Sequence, residues 1–586
     1  MSVNEDLAKI AARYFQQKMT ADPFTATSFG IPGYDALVGD PSRDGDRMRA
    51  AALEETALDL AALDPARLEG QDRITRSMLV TLVETELAEL AGAAGEVGVT
   101  AGIAAVQTGV LSLLPATPLP TPERVADYLT RLEGLGGYFD AWLERYRQAG
   151  REGRHQTARG LRQAIAQLDE YLAGDPSADP LLAPLPASAE ALDGGAAGGL
   201  DRGASGTGDG AARGAAVLPA DPRAEGQRIV AEIVRPALLR WRTAFAEEFL
   251  PVARDDDHVG ICHVPGGREA YLAAARQHTT TDLTPEEIHR IGLDVIAALR
   301  EEFAEVGGRA LGLTDPDAVM AALREDTSLR FETAEQIIAS ATEALDRAQA
   351  ALGDWFLPYA IAPCEVRPIP EVAAEDSVLA YYSPPIADGS RPGIHWINTY
   401  DPASRARYEY EALAFHESVP GHHLQLAIGQ TLDGLPDFRR FGHFTAYGEG
   451  WGLYTERLSD EMGLYSGDLQ RLGMLSFDAW RACRLVVDTG MHHFGWSRSQ
   501  AVRFMLDNSA LSQVNIDNEV DRYIAWPGQA LAYMVGRLRL QDLRRRAEDA
   551  LGERFDIRVF HDKVLSSGSV PLATLEEIIT DWITTA

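Results

Sequence analysis

A short run in the last third of the chain combines the residue types that bind and use a metal ion. His416 and Glu417 begin the segment HESVPGHH, which ends with His422 and His423. Zinc-dependent hydrolases commonly carry the motif HExxH, in which two histidines one helical turn apart bind one ion and the glutamate acts as a base. Here the second histidine is displaced to position 422 or 423, so the spacing needs a structural explanation.

Helix geometry limits how the two histidines can meet. On a straight helix, a step of six residues rotates the side chain by about 240°, and a step of seven moves it roughly 10 Å along the axis. Neither spacing brings two imidazoles to one ion. Pro420 removes a backbone hydrogen bond and Gly421 permits unusual dihedral angles, so the sequence predicts a bulge that absorbs two residues. Such a bulge favours His422 over His423 as the partner of His416.

A third metal ligand is expected from the next helical segment, FGHFTAYGEGWGLYTE, which ends at Glu456. Zinc hydrolases with the HExxH motif often take this ligand from a glutamate on a second helix downstream. Glu449 lies between Gly448 and Gly450, whose small size allows another helix to approach closely. We therefore predict Glu449 as the third ligand. Glu456 lies two turns further on, on about the same face, and is either an alternative ligand or a residue that supports one.

The elements that must position these residues are predicted to be mainly helices. Ala, Leu, Glu and Arg dominate the sequence, and apolar residues recur every three or four positions. Thr121 and Thr284 each precede a proline and acidic residues, which is typical of a helix N-terminus. A helix carrying His416 is expected over residues 403–419. Further helices are expected at residues 123–147, 224–248, 284–306, 333–352 and 538–551.

One pair of segments departs from the helical pattern. Residues 378–383 (VLAYYS) and 393–400 (GIHWINTY) are rich in aromatic and β-branched residues, and prolines and glycines separate them. They predict a β-hairpin just before the metal-binding helix. The surrounding prolines indicate a position at the edge of a sheet.

A second segment, residues 184–222, contains almost only Ala, Gly, Asp, Ser and Pro. Such a composition offers little apolar surface to bury, so it predicts a flexible insertion. It would separate an N-terminal helical part, residues 1–183, from a C-terminal catalytic part, residues 223–586. Both parts are expected to share one core.

Composition excludes several classes of function. The chain has 586 residues and a formal net charge of −33, whereas nucleic-acid binding and docking on anionic lipid need a basic surface. The N-terminus lacks a secretion signal, and the uncharged stretch at residues 97–122 holds too many prolines and polar residues for a membrane helix. A cytoplasmic protein is therefore expected. Disulfides and a thiolate zinc site are not expected, because only three widely spaced cysteines are present: Cys262, Cys364 and Cys483.

Several strings in the second half of the chain resemble the DUF885 family of bacterial proteins. They are HESVPGHHLQ, GEGWGLYTERL, RLVVDTGMHHFGWS, YIAWPGQALAYMVGRLRL and FDIRVFHDKVLSSGSVPL, and they are strongest from Tyr381 to the C-terminus. The resemblance implies a mainly α fold, similar to the gluzincins and the angiotensin-converting-enzyme-like peptidases, that holds one zinc ion. We expect a small sheet beside the motif helix and a deep central cleft. The family implies no particular substrate.

The catalytic roles follow in part from this resemblance. Glu417 directly follows the first ligand and is predicted to be the general base. In the peptidases that the chain resembles, a downstream tyrosine and a histidine stabilise the oxyanion. Tyr523, Tyr533, His492 and His493 are the candidates here. Ordinary core packing is the alternative role for each of them.

Substrate contacts are predicted on the hairpin and at two arginines. The strand at residues 393–400 would pair with extended substrate backbone, with His395 and Asn398 facing the cleft. A strand paired only within the protein is the alternative. Arg391 or Arg522 would bind a substrate carboxylate, and a structural ion pair is the alternative role for each.

The sequence therefore predicts a zinc-dependent hydrolase that cleaves peptide bonds in short peptides, with His416, His422 and Glu449 as metal ligands. Short peptides are preferred over folded proteins because the resemblance implies a site enclosed by helices. Two other functions are kept in view. The first is a metal-dependent amidase that acts on a non-peptide substrate. The second is an inactive metal-binding scaffold, against which Glu417 argues, because a structural zinc site usually has four protein ligands and needs no base.

Overall fold

The computed structural model describes residues 3–102, 104–188, 218–370, 374, 378–385, 391–432 and 434–586. Most of the predicted insertion at residues 184–222 lies outside these ranges. The described α-helices are α1 (Val3–Ala21), α2 (Pro23–Ser28), α3 (Arg43–Ala62), α4 (Gly70–Gly92), α5 (Val106–Leu113), α6 (Pro122–Arg151), α7 (Ala158–Ala173), α8 (Pro222–Ile229), α9 (Arg235–Ala244), α10 (Gly267–Thr279), α11 (Pro285–Ala310), α12 (Pro316–Glu325), α13 (Ala334–Trp355), α14 (Tyr410–Glu417), α15 (His422–Gln430), α16 (Asp437–Arg440), α17 (Thr445–Glu461), α18 (Asp468–His492), α19 (Arg498–Asn508), α20 (Gln513–Ala525), α21 (Ala532–Leu551), α22 (Ile557–Leu565) and α23 (Leu572–Thr585).

The mainly α fold is confirmed, and the capping signals explain where helices begin. Thr284 accepts a hydrogen bond from the Glu287 backbone, and the Glu287 carboxylate accepts one from the Thr284 backbone, so α11 starts with a capping box. The predicted helix at residues 224–248 is helical throughout. It includes two π-helical turns, Val230–Val234 and Phe245–Phe249, on either side of α9.

The described chain divides into two compact units. The first comprises residues 1–12, 57–92 and 257–586, and the second comprises residues 13–56 and 93–256. The second unit has an aromatic core in which Phe139 and Trp241 pack edge to face, 5.1 Å between ring centroids. All the residues predicted for the functional site lie in the first unit.

Two pairs of long helices form the frame of the first unit. α11 packs along α18, and α17 packs along α21. Gly450 on α17 faces Gly536 on α21, and a Cβ atom built at Gly450 would lie 2.5 Å from the Gly536 Cα. The glycines beside Glu449 were expected to allow such a close approach, and this contact accounts for one of them.

A three-stranded sheet lies beside α14. It consists of β1 (Cys364–Pro368), β2 (Ala380–Ser383) and β3 (Gly393–Ile397), in the order β1-β3-β2. β2 and β3 pair antiparallel, so the predicted hairpin is confirmed. The prediction that β3 offers an open edge is wrong, because β1 pairs with it in parallel on the other side. β3 is the central strand, and its backbone groups are used within the sheet.

None of the helices in the described ranges combines the length and the apolar composition that crossing a membrane requires. The uncharged stretch at residues 97–122 holds the short helix α5 and a 3-10 turn, Leu114–Ala116. With 8 residues, α5 is too short to span a bilayer.

Candidate metal site

The segment between the two motif histidines is a tight turn between two helices. α14 ends at Glu417, and α15 begins at His422. A Cβ atom at Gly421 would lie 1.9 Å from the His416 carbonyl oxygen, so only glycine fits there. The predicted continuous helix with a bulge is therefore wrong in form, since the helix stops and a new one starts. The turn nevertheless places the His416 and His422 rings 4.7 Å apart.

α17 supports this turn from the other side. The Trp451 indole donates hydrogen bonds to the Pro420 and Gly421 carbonyls, at 3.0 and 3.3 Å. A Cβ atom at Gly452 would lie 2.6 Å from the His416 ring, so glycine at this position lets the imidazole lie against the helix. α17 thus fixes both the turn and the first histidine.

Three side chains converge where these elements meet. The Glu449 carboxylate oxygen Oε2 lies 3.5 Å from His416 Nε2 and 3.6 Å from His422 Nε2. One ligand atom from each residue lies within 4.8 Å of the other two. The His416 side chain is 4% exposed, whereas His422 is 15% and Glu449 is 20% exposed, so the group is accessible from the side of the last two residues.

A fourth residue, Glu456, holds the first histidine in place. Its Oε1 atom lies 2.8 Å from His416 Nδ1, on the ring side opposite to Glu449. Burial disfavours a charge on His416, but hydrogen bonds to Glu449 and Glu456 outweigh burial and raise its pKa to about 9. The two imidazoles in turn lower the pKa of Glu449 well below its usual value, against the effect of burial. Glu456 therefore occupies the supporting role that the sequence left open for it.

His423 lies outside the group. Its Nε2 atom donates to the Ala362 carbonyl at 3.0 Å, and its Nδ1 atom accepts from the Tyr382 hydroxyl at 2.8 Å. Both ring nitrogens are thus engaged with the sheet and the segment that precedes it. Burial lowers the pKa of His423 to about 4, so the ring is neutral.

Glu417 is half-buried at the end of α14. Within the described ranges its carboxylate takes part in no hydrogen bond or ion pair, and its charge contributes to the raised pKa of His416. A carboxylate without a partner beside the first histidine fits the predicted general base, because such a base must be free to accept a proton.

The Tyr523 hydroxyl is used in a different cluster. It donates to Glu519 at 2.6 Å and accepts from Trp480 and Arg484 at 3.1 and 2.8 Å. Tyr523 is also fully buried. With three partners already present, its hydroxyl has no capacity left for an oxyanion, so the structure does not support the predicted catalytic role.

His492 has a structural position. Its Nε2 atom donates to the Tyr523 carbonyl at 2.9 Å, and its Nδ1 atom accepts from the Ile261 backbone at 3.1 Å. Neither nitrogen is available to a substrate, so an oxyanion role for His492 is not supported either. His493 Nε2 donates a hydrogen bond to the Glu286 carboxylate at 2.7 Å.

The Tyr533 hydroxyl makes no hydrogen bond within the described part of the chain. The residue lies on α21 one turn before Gly536, which faces Gly450, and it is half-buried. Tyr533 is therefore near the level of Glu449 along the helix pair. The Arg484 guanidinium lies 4.4 Å from its ring centroid.

Both arginines predicted to bind a carboxylate have partners within the protein. Arg522 donates to Glu519 and to Gln529, each at 3.2 Å, and Arg391 donates to the Pro384 carbonyl at 2.8 Å. For Arg522 this is the structural ion pair that was its alternative role. The predicted substrate contact of Arg522 is thus not supported.

The two polar residues predicted on the hairpin are both buried. Asn398 donates to the Ala374 and Val378 carbonyls and accepts from the Tyr400 backbone at 2.9 Å, so it shapes the turn after β3. His395 is fully buried, and neither ring nitrogen has a hydrogen-bond partner among the described residues. Burial, with a smaller effect of charge on His416, lowers its pKa to about 3. These positions do not support direct substrate contact.

Sequence reasoning missed His443, which lies against α17 next to Glu449. A Cβ atom at Gly448 would lie 2.6 Å from its ring. The residue is present in the string that supplied Glu449, but no motif spacing marks it. Only the backbone path between α16 and α17 brings it to the group.

The chain belongs to the DUF885 family, since the model of this family, described as a bacterial protein of unknown function, matches residues 23–579. A crystal structure from Colwellia psychrerythraea is similar, with a TM-score of 0.87, 25% identity and coverage of 100% of both chains. Another solved structure, from Shewanella oneidensis, has a TM-score of 0.74 and 16% identity over 98% of this chain and 99% of its own, and shows the fold alone. Both are described as a "putative lipoprotein". Comparison with curated proteins finds no match.

Proposed function

We propose that this protein is a metal-dependent hydrolase that cleaves peptide bonds in short peptides. The observation that carries the proposal is the convergence of His416, His422 and Glu449 within 4.8 Å. The carboxylate of the adjacent residue Glu417 has no hydrogen-bond or ion-pair partner among the described residues. Three protein ligands with an accessible side are typical of catalytic zinc sites, whereas structural sites usually have four.

The donor set fits a divalent ion. Two imidazole nitrogens and one carboxylate oxygen suit zinc, and manganese and cobalt accept the same donors. Glu456 supports the first of these ligands, because a carboxylate on Nδ1 directs Nε2 towards the group. An ion held by these residues would supply a Lewis acid that polarises a carbonyl group and acidifies water.

The residues of the chain then account for the movement of the proton. The Glu417 carboxylate accepts a proton from the attacking water and passes it to the nitrogen of the leaving amine. His416 stays fixed by Glu456 during this transfer. Tyr533 is our candidate for donating a hydrogen bond to the carbonyl oxygen as this oxygen gains negative charge.

The test compares Glu417→Gln with the wild type. Elemental analysis is expected to find equal amounts of zinc in both proteins. Only the wild type is expected to digest a peptide library, and a chelator should abolish this digestion. Glu461→Gln is the matched control and should retain activity. It removes a surface carboxylate of α17 that pairs with Arg544 on α21. Peptide cleavage by Glu417→Gln at the wild-type rate would overturn the mechanism.

A second screen with non-peptide amides, run beside the peptide library, separates the other functions. A wild-type protein that binds zinc and cleaves non-peptide amides only would be an amidase. One that binds zinc and hydrolyses neither class would be a scaffold. The net charge of −33 does not by itself favour a substrate, because acidity also promotes solubility.

The cytoplasmic location expected from the sequence stays a prediction. Both structural relatives carry the name lipoprotein, which describes proteins of the bacterial envelope. Fractionation of cells, with an antibody against this protein, decides between the two compartments.

A further inference from the structure

A third histidine, His443, lies beside the metal group, and no hydrogen bond among the described residues gives it a structural role. His443 lies in the segment between α16 and α17, where the Phe444 backbone is anchored by a hydrogen bond to Ser569 at 3.0 Å. Its side chain is exposed, and it makes no hydrogen bond within the part of the chain that the structure describes. Histidines in structural positions, such as His492, have both ring nitrogens bonded to the backbone.

The His443 ring lies against α17 beside Gly448, in space that a larger side chain at Gly448 would occupy. A Cβ atom at Gly448 would lie 2.6 Å from His443 Cε1 and 3.4 Å from both ring nitrogens. Two residues further along, Gly450 faces α21. Because two residues correspond to about 200° around a helix, His443 and α21 contact opposite faces of α17. Glu449 lies between them in the sequence.

The charges of two members of the metal group act on the same ring. The charge of Glu449 raises the pKa of His443, and the charge of His422 lowers it. Desolvation is the largest effect and lowers the pKa overall, although the side chain is accessible to water. The ring is therefore influenced by two members of the metal group, while its side chain stays accessible to a substrate.

We propose that His443 contacts the substrate and donates a hydrogen bond from its ring to the carbonyl oxygen that becomes negative when water adds. The inference rests on the proposed hydrolase function. It supplies a donor that Tyr523 and His492 do not, since their polar atoms are used within the protein. The proton stays on the imidazole throughout, so the neutral ring is sufficient and Glu417 remains the base.

The experiment measures zinc content, peptide hydrolysis and binding of a phosphinic peptide, which imitates the tetrahedral state. For His443→Ala we expect unchanged zinc, a fall in kcat of about 100-fold with KM changed much less, and weaker binding of the phosphinic peptide. Added imidazole should restore part of the activity. His155→Gln, which changes a histidine of the second unit, is the matched control and should behave as the wild type.

Gly448→Ala tests the position of the ring without removing it. The added Cβ must displace His443, so kcat should fall while zinc is retained. Wild-type kcat in His443→Ala, or loss of zinc from it, would overturn this inference alone. A wild-type protein that neither hydrolyses peptides nor binds the phosphinic peptide would overturn the proposed function, and this inference with it.

Discussion

His416 Nδ1 and Glu456 Oε1 lie 2.8 Å apart, and both side chains are buried. Glu456 is seven positions after Glu449 on α17, so one helix supplies the carboxylates at both nitrogens of the same imidazole. A histidine that donates from Nδ1 to a carboxylate presents Nε2 in a fixed direction. The orientation of the first predicted ligand is therefore set before any ion binds.

Removal of this support is expected to weaken metal binding. Glu456→Gln keeps the size of the side chain but removes the charge that orients His416, so we expect zinc affinity to fall by about 10- to 100-fold. Competition with a fluorescent chelator measures the change. Glu461→Gln, on the same helix, should bind as the wild type does, and equal affinity in the two variants would contradict the assigned role.

The two adjacent histidines of the motif should respond differently to substitution. His422→Ala is expected to lose zinc by elemental analysis, because it removes one of three converging donors. His423→Ala is expected to retain zinc but to lose about 1 to 3 kcal/mol of stability, because Tyr382 and Ala362 lose their hydrogen-bond partner. Urea unfolding measures the second effect. Loss of zinc from His423→Ala but not from His422→Ala would instead identify His423 as the ligand.

The contact between α17 and α21 should tolerate no added side chain. At Gly536 a Cβ atom would lie 1.9 Å from the Ala446 carbonyl oxygen, so Gly536→Ala is expected to destabilise the fold by about 1 to 3 kcal/mol. Gly429→Ala on α15 is the control, because its Cβ would meet no atom within 4 Å. Helix propensity predicts that the control is stabilised by about 0.5 to 1 kcal/mol. In thermal unfolding, the melting temperature should fall for Gly536→Ala and rise for Gly429→Ala.

Asp488 should make stability depend on pH. Burial raises its pKa from 3.8 to about 7, although hydrogen bonds from Tyr271 and Gly528 act against this. The folded state therefore binds a proton more tightly than the unfolded state, and stability falls as the pH rises from about 4 to about 7. At 1.36 kcal/mol per pKa unit, the loss is about 4 kcal/mol at most.

Asp488→Asn removes this titration, so its stability should lack that fall between pH 4 and 7 in chemical denaturation. The exposed residue Asp507 provides the control variant Asp507→Asn, which should keep the wild-type pH profile. A wild-type profile in Asp488→Asn would show that other groups cause the dependence.

Much of the local structure could be predicted because its causes are local. The capping residues of α11 and the aromatic strands β2 and β3 each act over a few neighbouring positions. The approach of His416 to His422 also follows from short-range features, since Pro420 and Gly421 lie between them. Glu449 reaches both through a longer-range contact, in which Gly452 lets α17 pack against the His416 ring.

What the sequence could not reveal depends on contacts between distant segments. β1 pairs with β3 across 29 positions at the register Cys364 to Gly393, and no local pattern marks that parallel pairing. Its presence turns an expected edge strand into a central one. The partners of the Tyr523 hydroxyl were hidden for the same reason, because Trp480 and Arg484 reach it only in the folded chain.

The alternating glycines of α17 give each position a separate mutational signature. Gly448 accommodates His443, Gly450 accommodates α21, and Gly452 accommodates the His416 ring. A collection of random variants in this string would therefore sort into three phenotypes: slow turnover in a metal-loaded protein, poor folding, and metal loss. Within the 17 residues of this one helix, substitutions at three glycines would separately affect catalysis, folding and metal binding.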